Sequence, residues 1–235
     1  MSRYTPVLTS WMFYVFLAFT PLWLYYSSPI HWISFYIAYW FAADFVNGLF
    51  MHRWAAHKLW NPPRWVQYVL SYIAVVLLLG TPLSWAAWHR QHHAKCETED
   101  DPHSPSHKSW RYIVFRHRYH NTNFRKATDM LRDKYIMWLS KNEFYIILVS
   151  HIALYIILGP MWYLTVIALP ASYAILNVNF FINVVSHLDN KVSNIPWAMP
   201  IVFSEAWHGD HHNKPTLICS KFEISGRIAK ALKWN

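Results

Sequence analysis

Charged residues are scarce in this sequence, and cysteines are scarcer still. Only 14% of the 235 residues are Asp, Glu, Lys or Arg, whereas a soluble domain normally carries about 25%. The shortfall lies in long apolar stretches, which excludes an ordinary soluble domain and predicts a polytopic membrane protein. Cys96 and Cys219 are the only cysteines, so no disulfide framework is expected. The first apolar run follows Arg3 without a small-residue cleavage site, which argues against a cleavable signal peptide.

Four apolar stretches are predicted to cross the membrane, and a fifth is not. A crossing takes roughly 20 residues, and Gly159-Pro160 is a turn signal that separates the last two spans into a hairpin. The fifth stretch, about 65–83, is interpreted as re-entrant or interfacial, because a full crossing would leave the histidines before and after it on opposite faces. The four predicted spans are residues 7–26, 32–51, 143–158 and 161–181.

The distribution of basic residues predicts the orientation in the membrane. All 21 Lys and Arg lie outside the turn at 27–31 and outside Gly159-Pro160. The positive-inside rule therefore places both termini and the polar segments 84–142 and 183–235 on the cytosolic side. Because these basic residues lie between membrane segments, nucleic-acid binding is not expected. The predicted fold is one all-α domain with four transmembrane helices, a re-entrant or interfacial segment and a His-rich cytosolic cap.

Histidines cluster where the apolar stretches end. The chain has 15 histidines, and spacings of three and four residues place side chains on one face of a helix. The HxxxxH pair at His52 is different, because positions five residues apart lie about 140° apart on an α-helix. We therefore expect His57 to lie beyond the helix end. The clusters are His52 and His57; His89, His92 and His93; Asn183 and His187; and His208, His211 and His212.

Nine converging imidazoles predict a metal centre with two ions. Neutral imidazole binds iron, copper and zinc, and a single ion takes only about four to six ligands. A zinc protein without redox turnover, or a cation transporter, is the alternative of another class. A transport path would need ionisable residues along the spans, and only Asp44, Glu143 and His151 qualify.

Acidic and aromatic residues near these clusters are candidates for supporting roles. Metal-bound histidine usually donates its second ring N–H to a carboxylate or a carbonyl, although solvated loop charges are an equally good interpretation of each acid. Aromatic residues of the second span are candidates for the wall of a substrate tunnel, with lipid contact or helix packing as the alternative. The acids are Glu97, Asp100, Asp101, Asp189, Glu205 and Asp210. The tunnel candidates are Trp40, Phe41, Asp44 and Phe45.

Four segments resemble the membrane fatty acyl desaturase family, in particular its stearoyl-CoA (Δ9-type) branch. The resemblance extends from about residue 44 to the end of the chain. The chain is short for that family, and it contains no His-Pro-Gly-Gly haem motif of a fused cytochrome b5 domain. The four segments are HRWAAH at 52–57, HRQHHAKCETEDDPHSPSH at 89–107, NVVSH at 183–187 and EAWHGDHHNKP at 205–215.

The resemblance implies a function and a set of cofactors. It implies two iron ions (Fe²⁺/Fe³⁺) held by the nine clustered histidines, with Asn183 acting through a water. It also implies O₂ as co-substrate, an external electron donor such as ferredoxin or cytochrome b5, and a bent tunnel for the acyl chain. The expected reaction introduces a cis, Δ9-like double bond into an acyl chain carried on CoA, ACP or a lipid. A hydroxylase, an acetylenase or a carotenoid oxygenase with the same kind of site is the related alternative.

Overall fold

The computed structural model describes residues 5–115, 122–216 and 223–232. Helices and their connections account for all of these ranges, and no strand occurs in them, in agreement with the all-α prediction. The α-helices are α1 (Thr5–Ala18), α2 (Thr20–Tyr26), α3 (Pro29–Trp40), α4 (Arg64–Val76), α5 (Pro82–Lys95), α6 (Trp110–Phe115), α7 (Thr128–Leu131), α8 (Lys134–Tyr163), α9 (Leu169–Asn177), α10 (Met199–Val202), α11 (His208–Asn213) and α12 (Ile224–Ala231). The π-helices are Phe41–Ala56, Leu164–Ala168 and Val178–Ile182, and the 3₁₀ helices are Phe124–Ala127, Val185–Asn190, Pro196–Ala198 and Phe203–Trp207.

The helix from Pro29 to Ala56 is long and apolar enough to cross a membrane. This helix begins at Pro29, and proline is favourable there because first-turn N–H groups form no hydrogen bond within the helix. The second part of the helix, Phe41–Ala56, is a π-helix. Within the described residues only one other helical segment, Lys134–Asn190, meets the same length and hydropathy requirement. The first predicted span is instead divided into α1 and α2, of which Met12–Tyr26 forms a shorter apolar stretch.

The 57-residue segment Lys134–Asn190 reverses direction at Gly159. Gly159 has φ +72° and ψ 164°, a conformation that a residue with a Cβ rarely adopts. His151 Nδ1 lies 2.6 Å from the Tyr163 hydroxyl, although twelve residues of straight helix would span about 18 Å. The turn predicted at Gly159-Pro160 is therefore present. Helix α8 begins earlier than the predicted 143, because the Asp133 carboxylate accepts hydrogen bonds from the first amides of this helix.

Helices α4 and α5 form a hairpin that returns to its starting side. His57 precedes α4 and His89 lies in α5, yet their Nε2 atoms are 2.9 Å apart. The connection contains Leu78 and Gly80, both with positive φ, and Thr81 caps α5 by accepting a hydrogen bond from the Ser84 amide. Helix α4 has 13 residues, about 20 Å of helix, which is shorter than the roughly 30 Å hydrocarbon core of a bilayer.

Small side chains allow the central helices to pack closely. Ala42 in the π-helix and Ala168, Ala171 and Ala174 around α9 are fully buried, and helices that carry small residues at their contacts can approach closely in a membrane. Helix α8 exposes an apolar face instead, which includes Val149, Ile156 and Ile157. An apolar face of this extent is typical of a surface that contacts lipid or another protein rather than water.

Candidate metal centre

Nine histidine side chains converge into two groups. Within each group every ligand nitrogen lies within 4.8 Å of every other. All four sequence clusters contribute, as predicted, but the division between the groups does not follow the clusters. The five-histidine set contains His52, His57, His89, His93 and His211, and the four-histidine set contains His92, His187, His208 and His212.

A π-helix brings the HxxxxH pair together. The His57 amide donates to the His52 carbonyl at 3.2 Å, which is the i to i+5 hydrogen bond of a π-helix. The two imidazole rings are 5.1 Å apart, so residues that would diverge on an α-helix lie on one face. His57 follows the last helical residue, Ala56, as expected.

Each HxxHH motif contributes to both sets. On α5, His89 and His93 are four residues apart and belong to the five-histidine set, whereas His92 belongs to the other set. On α11, His208 and His212 belong to the four-histidine set. Adjacent residues on a helix point about 100° apart, so neighbouring histidines belong to different sets. Each HxxHH motif thus holds histidines of both sets on one short helix.

Carboxylates bind the second ring nitrogen of four histidines. The N–H groups at Nδ1 of His92, His187 and His52 lie 2.6–3.0 Å from carboxylate oxygens, and that of His208 lies 3.3 Å from one. These contacts fix the ring orientation and leave Nε2 free to bind an ion. The partners are Asp101 for His92, Glu97 for His187, and Glu205 for both His52 and His208.

Three of the six acids named from the sequence lie away from the histidine rings. Asp100 has a side chain 74% exposed and pairs with Lys95, and Asp189 is exposed with φ +58°. Asp210 Oδ1 accepts a hydrogen bond from the side-chain Nδ2 of Asn194. Among the described residues, these three acids therefore do not support a histidine ring.

The donor geometry fits a pair of transition-metal ions. His187 and His208 each hold a proton at Nδ1 for a carboxylate, yet their Nε2 atoms lie 3.2 Å apart. Two unprotonated nitrogens at this distance direct lone pairs at each other, an arrangement that a cation between them would stabilise. An all-imidazole set suits iron, copper, nickel or zinc. The residues present therefore fit two bound metal ions.

Burial lowers the pKa of seven of the nine histidines and so favours their neutral form. Desolvation lowers the pKa of His57 to about 2, of His93 to about 3 and of His208 to about 4, with further lowering by neighbouring imidazoles. Burial raises the pKa of the Glu205 carboxyl, but the contacts of this carboxyl with His52 and His208 and the charge of Arg53 together hold its pKa well below the usual range. Neutral imidazoles beside ionised carboxylates are the protonation states that metal binding requires.

Asn183 lies beside a small cavity between the two sets. The cavity has a volume of about 20 Å³, enough for one water. Among the described residues, the Asn183 Nδ2 atom is buried without a hydrogen-bond partner, and so are Asn47 Oδ1 and Trp85 Nε1, which line the same cavity. Unpaired buried polar atoms are rare in native proteins. Their convergence fits a bound water here, as the resemblance implies for Asn183.

The predicted tunnel residues lie at the end of α3 and in the first turns of the π-helix, ahead of His52. Asp44 accepts hydrogen bonds from the Ser204 amide and from Trp40 Nε1, and Phe45 stacks on Phe41. Phe41 also lines a mostly apolar cavity of about 480 Å³ between α3, α4 and α8. None of these four residues lines the 20 Å³ cavity.

Two arginines at the site were not identified from the sequence. Arg53 is fully buried and pairs with Glu205. Arg90 donates to the carbonyls of Ala55 and Ala56 at the end of the π-helix. Both follow a histidine of a cluster directly, and that His-Arg repetition was the available signal.

One edge of the centre is open to solvent. A cavity of about 520 Å³ is lined by His57, His93 and His212 together with Arg90 and Cys96. The Cys96 sulfur lies 3.7 Å from His212 Nδ1, and burial together with nearby carboxylates raises the pKa of this thiol to about 12. Cys96 is therefore a protonated thiol at neutral pH.

Comparison with known proteins identifies the family. Residues 27–223 match the family described as fatty acid desaturase. The chain is 27% identical over 222 residues to a probable chloroplastic lipid desaturase of Arabidopsis thaliana, covering 86% of this chain and 58% of that protein. It is 28% identical over 180 residues to an sn-2 palmitoyl-lipid 9-desaturase of Nostoc sp., covering 70% of this chain and 63% of the relative.

A third relative agrees with these two. The chain is 30% identical over 199 residues to a Delta-9 desaturase-like 1 protein of Arabidopsis thaliana, covering 78% of this chain and 62% of the relative. This chain thus spans about three fifths of the length of the relatives it matches. Because the family match extends over most of the sequence and includes every histidine cluster, the chain belongs to the fatty acid desaturase family.

Proposed function

We propose that this protein is a di-iron desaturase that introduces a double bond into a fatty acyl chain. The observation that carries the proposal is the pair of converging histidine sets, in which carboxylates hold protons at Nδ1 and leave Nε2 for metal. Two irons, when bound, would supply the O₂ chemistry that an unactivated methylene requires. Imidazole and carboxylate side chains alone have no means of cleaving such a C–H bond.

The proposed reaction balances with an external reductant. Two hydrogens leave adjacent methylenes, O₂ accepts them together with two electrons and two protons, and two waters form. We propose an external electron donor of the ferredoxin or cytochrome b5 type, as the family resemblance implies. The protein contributes ring orientation through Glu97, Asp101 and Glu205.

We propose that the substrate is an acyl chain of a membrane lipid. The relatives include proteins named as a palmitoyl-lipid 9-desaturase and a Delta-9 acyl-lipid desaturase, and a Δ9 position is adopted from these names. The apolar cavity beside Phe41 is the candidate location for the part of the chain beyond the new double bond. Trp40, Asp44 and Phe45 would lie behind Phe41 and support the side of the cavity that Phe41 lines.

We propose a four-span topology with the metal centre on the cytosolic side. The long helix Pro29–Ala56 supplies one span, and the segment that reverses at Gly159 supplies two. The first span would then be α1 with α2, and the α4–α5 hairpin would enter the membrane without crossing it. The short length of α4 and the close approach of His57 to His89 support this assignment.

Lipid analysis tests the activity. The full chain is expressed in iron-replete cells that lack the corresponding desaturase, and total fatty acids are analysed by gas chromatography with mass spectrometry. We expect new monounsaturated chains, and their loss in His211→Ala, which removes a ligand of the five-histidine set. Hydroxylated products would favour the related hydroxylase, and zinc in place of iron in the purified protein would favour a non-redox metal protein. Full activity of His211→Ala would contradict the assigned site.

A further inference from the structure

Arg53 is a buried cation held by two carboxylates from separate parts of the chain. Its side chain is only 1% exposed. Its Nη1 donates to the Gly48 carbonyl at 2.9 Å and to Glu205 Oε1 at 3.1 Å, and its Nη2 donates to Glu223 Oε1 at 2.9 Å. A buried guanidinium without such partners would be strongly destabilising. Both carboxylates are therefore needed to hold this charge in place.

Glu205, the first of these carboxylates, contacts both histidine sets. Its Oε1 accepts from His52 of the five-histidine set at 2.9 Å, and its Oε2 accepts from His208 of the four-histidine set at 3.3 Å. A Cβ at Gly48 would lie 3.2 Å from Glu205 Oε1, so this glycine permits the close approach. The position of one carboxylate thus sets the ring orientation of one ligand in each set.

Glu223, the second carboxylate, comes from the C-terminal helix. It lies immediately before α12 with its side chain 2% exposed. Two residues later, the Ser225 hydroxyl lies 2.9 Å from the hydroxyl of Ser204, next to Glu205. The start of α12 therefore contacts the surroundings of Glu205 in two ways. Ser225 pairs with Ser204, and Glu223 pairs with Arg53, which in turn contacts Glu205.

We propose that Glu223 is a positioning residue of the metal centre. By orienting Arg53 it fixes Glu205, and through Glu205 it fixes His52 and His208, so the C-terminal helix controls the geometry of both sets. Glu223 contacts no ligand histidine in the described chain, and its effect passes through two intermediate side chains. This inference rests on the proposed function, because it assumes that both sets bind metal.

Cobalt(II) binding to the full chain in nanodiscs tests the inference. Cobalt(II) chloride is the probe, because its visible ligand-field bands report coordination geometry without turnover. We expect Glu223→Gln to shift these bands and to weaken cobalt binding roughly tenfold or more, the usual effect of losing an outer-shell partner. Asp133→Asn is the matched control, since Asp133 also pairs with an arginine, Arg64, at 2.7 Å and contacts no ligand histidine among the described residues.

A double variant separates positioning from a general loss of stability. In an Arg53→Gln background, Glu223→Gln should cause no further spectral shift, because the route from Glu223 to Glu205 is already broken. An equal and additive shift in that background would overturn the proposal. Should Glu223→Gln fail to fold, Glu223→Asp keeps the charge, shortens the side chain and should produce a smaller shift in the same direction; an unshifted spectrum in that variant also overturns it.

The unaltered chain distinguishes the two failures. If it binds fewer than two equivalents of metal or forms no unsaturated chains, the proposed function fails. If it binds two equivalents and Glu223→Gln behaves as Asp133→Asn does, the proposed function stands and the role of Glu223 fails.

Discussion

At the scale of single residues, the carboxylates behind the histidines decide which ring nitrogen is available for metal. Asp101 accepts from His92 Nδ1 at 3.0 Å with both oxygens and also accepts from the amides of Glu97 and His103. This arrangement holds the proton on Nδ1 and keeps Nε2 unprotonated. The His92 ring therefore requires a side chain at position 101 that only accepts hydrogen bonds.

Asp101→Asn should weaken one metal site and spare the other. The introduced amide can donate to His92 Nδ1, which moves the ring proton to Nε2 and removes a ligand of the four-histidine set. We expect affinity for one of the two metal equivalents to fall about 10- to 100-fold, measured by competition with a metal chelator. Asp100→Asn is the control, because Asp100 is the exposed neighbour that pairs with Lys95. Equal affinities in the two variants would contradict this role.

The sequence predicts which histidines belong to the centre, but not how they are divided or which groups support them. Each of the nine histidines was identified from spacing at the ends of apolar stretches. Their division into two sets was not, because His92 and His93 are adjacent in sequence and only the direction of each side chain separates them. Arg53 was missed for a related reason: its two carboxylate partners lie more than 150 residues away, and no local pattern predicts such a pairing.

At the scale of elements, Arg90 joins the π-helix to α5. Helix ends leave carbonyl groups without partners inside the helix, and the Arg90 guanidinium satisfies those of Ala55 and Ala56 while it pairs with Asp129. This contact holds His57 beside His89. The π-helix itself could not be predicted, since its hydrogen bonds depend on packing around residues 41–56 rather than on their spacing.

Arg90→Lys should therefore disturb the five-histidine set although it conserves the charge. Lysine has one ammonium group and cannot reproduce the forked contacts of a guanidinium. We expect a lower melting temperature and weaker metal binding at that set, followed by scanning fluorimetry and metal titration. Lys58→Gln removes the other cation that pairs with Asp129, and as an exposed pair it should change stability by about 1 kcal/mol or less. A larger effect in Lys58→Gln than in Arg90→Lys would refute the argument.

The α4–α5 hairpin leads to a topological prediction. Lys58→Cys and Lys95→Cys, each placed in a Cys96→Ser/Cys219→Ser background, should react with an impermeant maleimide from the same side of sealed vesicles. Both positions are exposed; Lys58 precedes the hairpin and Lys95 is the last residue of α5. Tyr25→Cys, near the first predicted turn and 81% exposed, should react only from the other side. Labelling of the two lysine positions from opposite sides would show that the hairpin crosses the membrane.

At the scale of the whole molecule, the histidine centre makes the metal-free protein sensitive to acid. The pKa of His57, His93 and His208 is lowered to about 2, 3 and 4 by burial, while an unfolded chain has histidines near 6.5. Below about pH 6.5 the unfolded chain therefore binds more protons than the folded chain, and the free energy of unfolding falls as pH falls. Burial raises the pKa of Asp101 to about 6, which acts in the opposite sense but involves a single group.

Thermal unfolding of the metal-stripped protein should show this dependence. We expect the melting temperature in detergent to change little between pH 8 and 7 and to fall steadily between pH 6.5 and 4.5. Bound metal should reduce the effect, because occupied ligands cannot be protonated. A melting temperature that is constant from pH 7 to pH 5 in the metal-free protein would contradict the assigned burial of these imidazoles.

The solvent opening beside His57, His93 and His212 has a practical consequence for preparing the protein. Small aqueous chelators can reach the ligand nitrogens without unfolding the helices, so the metal content of a sample will depend on its purification history. Nickel released from an affinity resin can enter by the same route, and imidazole sets accept nickel readily. Samples made without chelating resin and reloaded anaerobically with ferrous salt are therefore the proper starting material for spectroscopy.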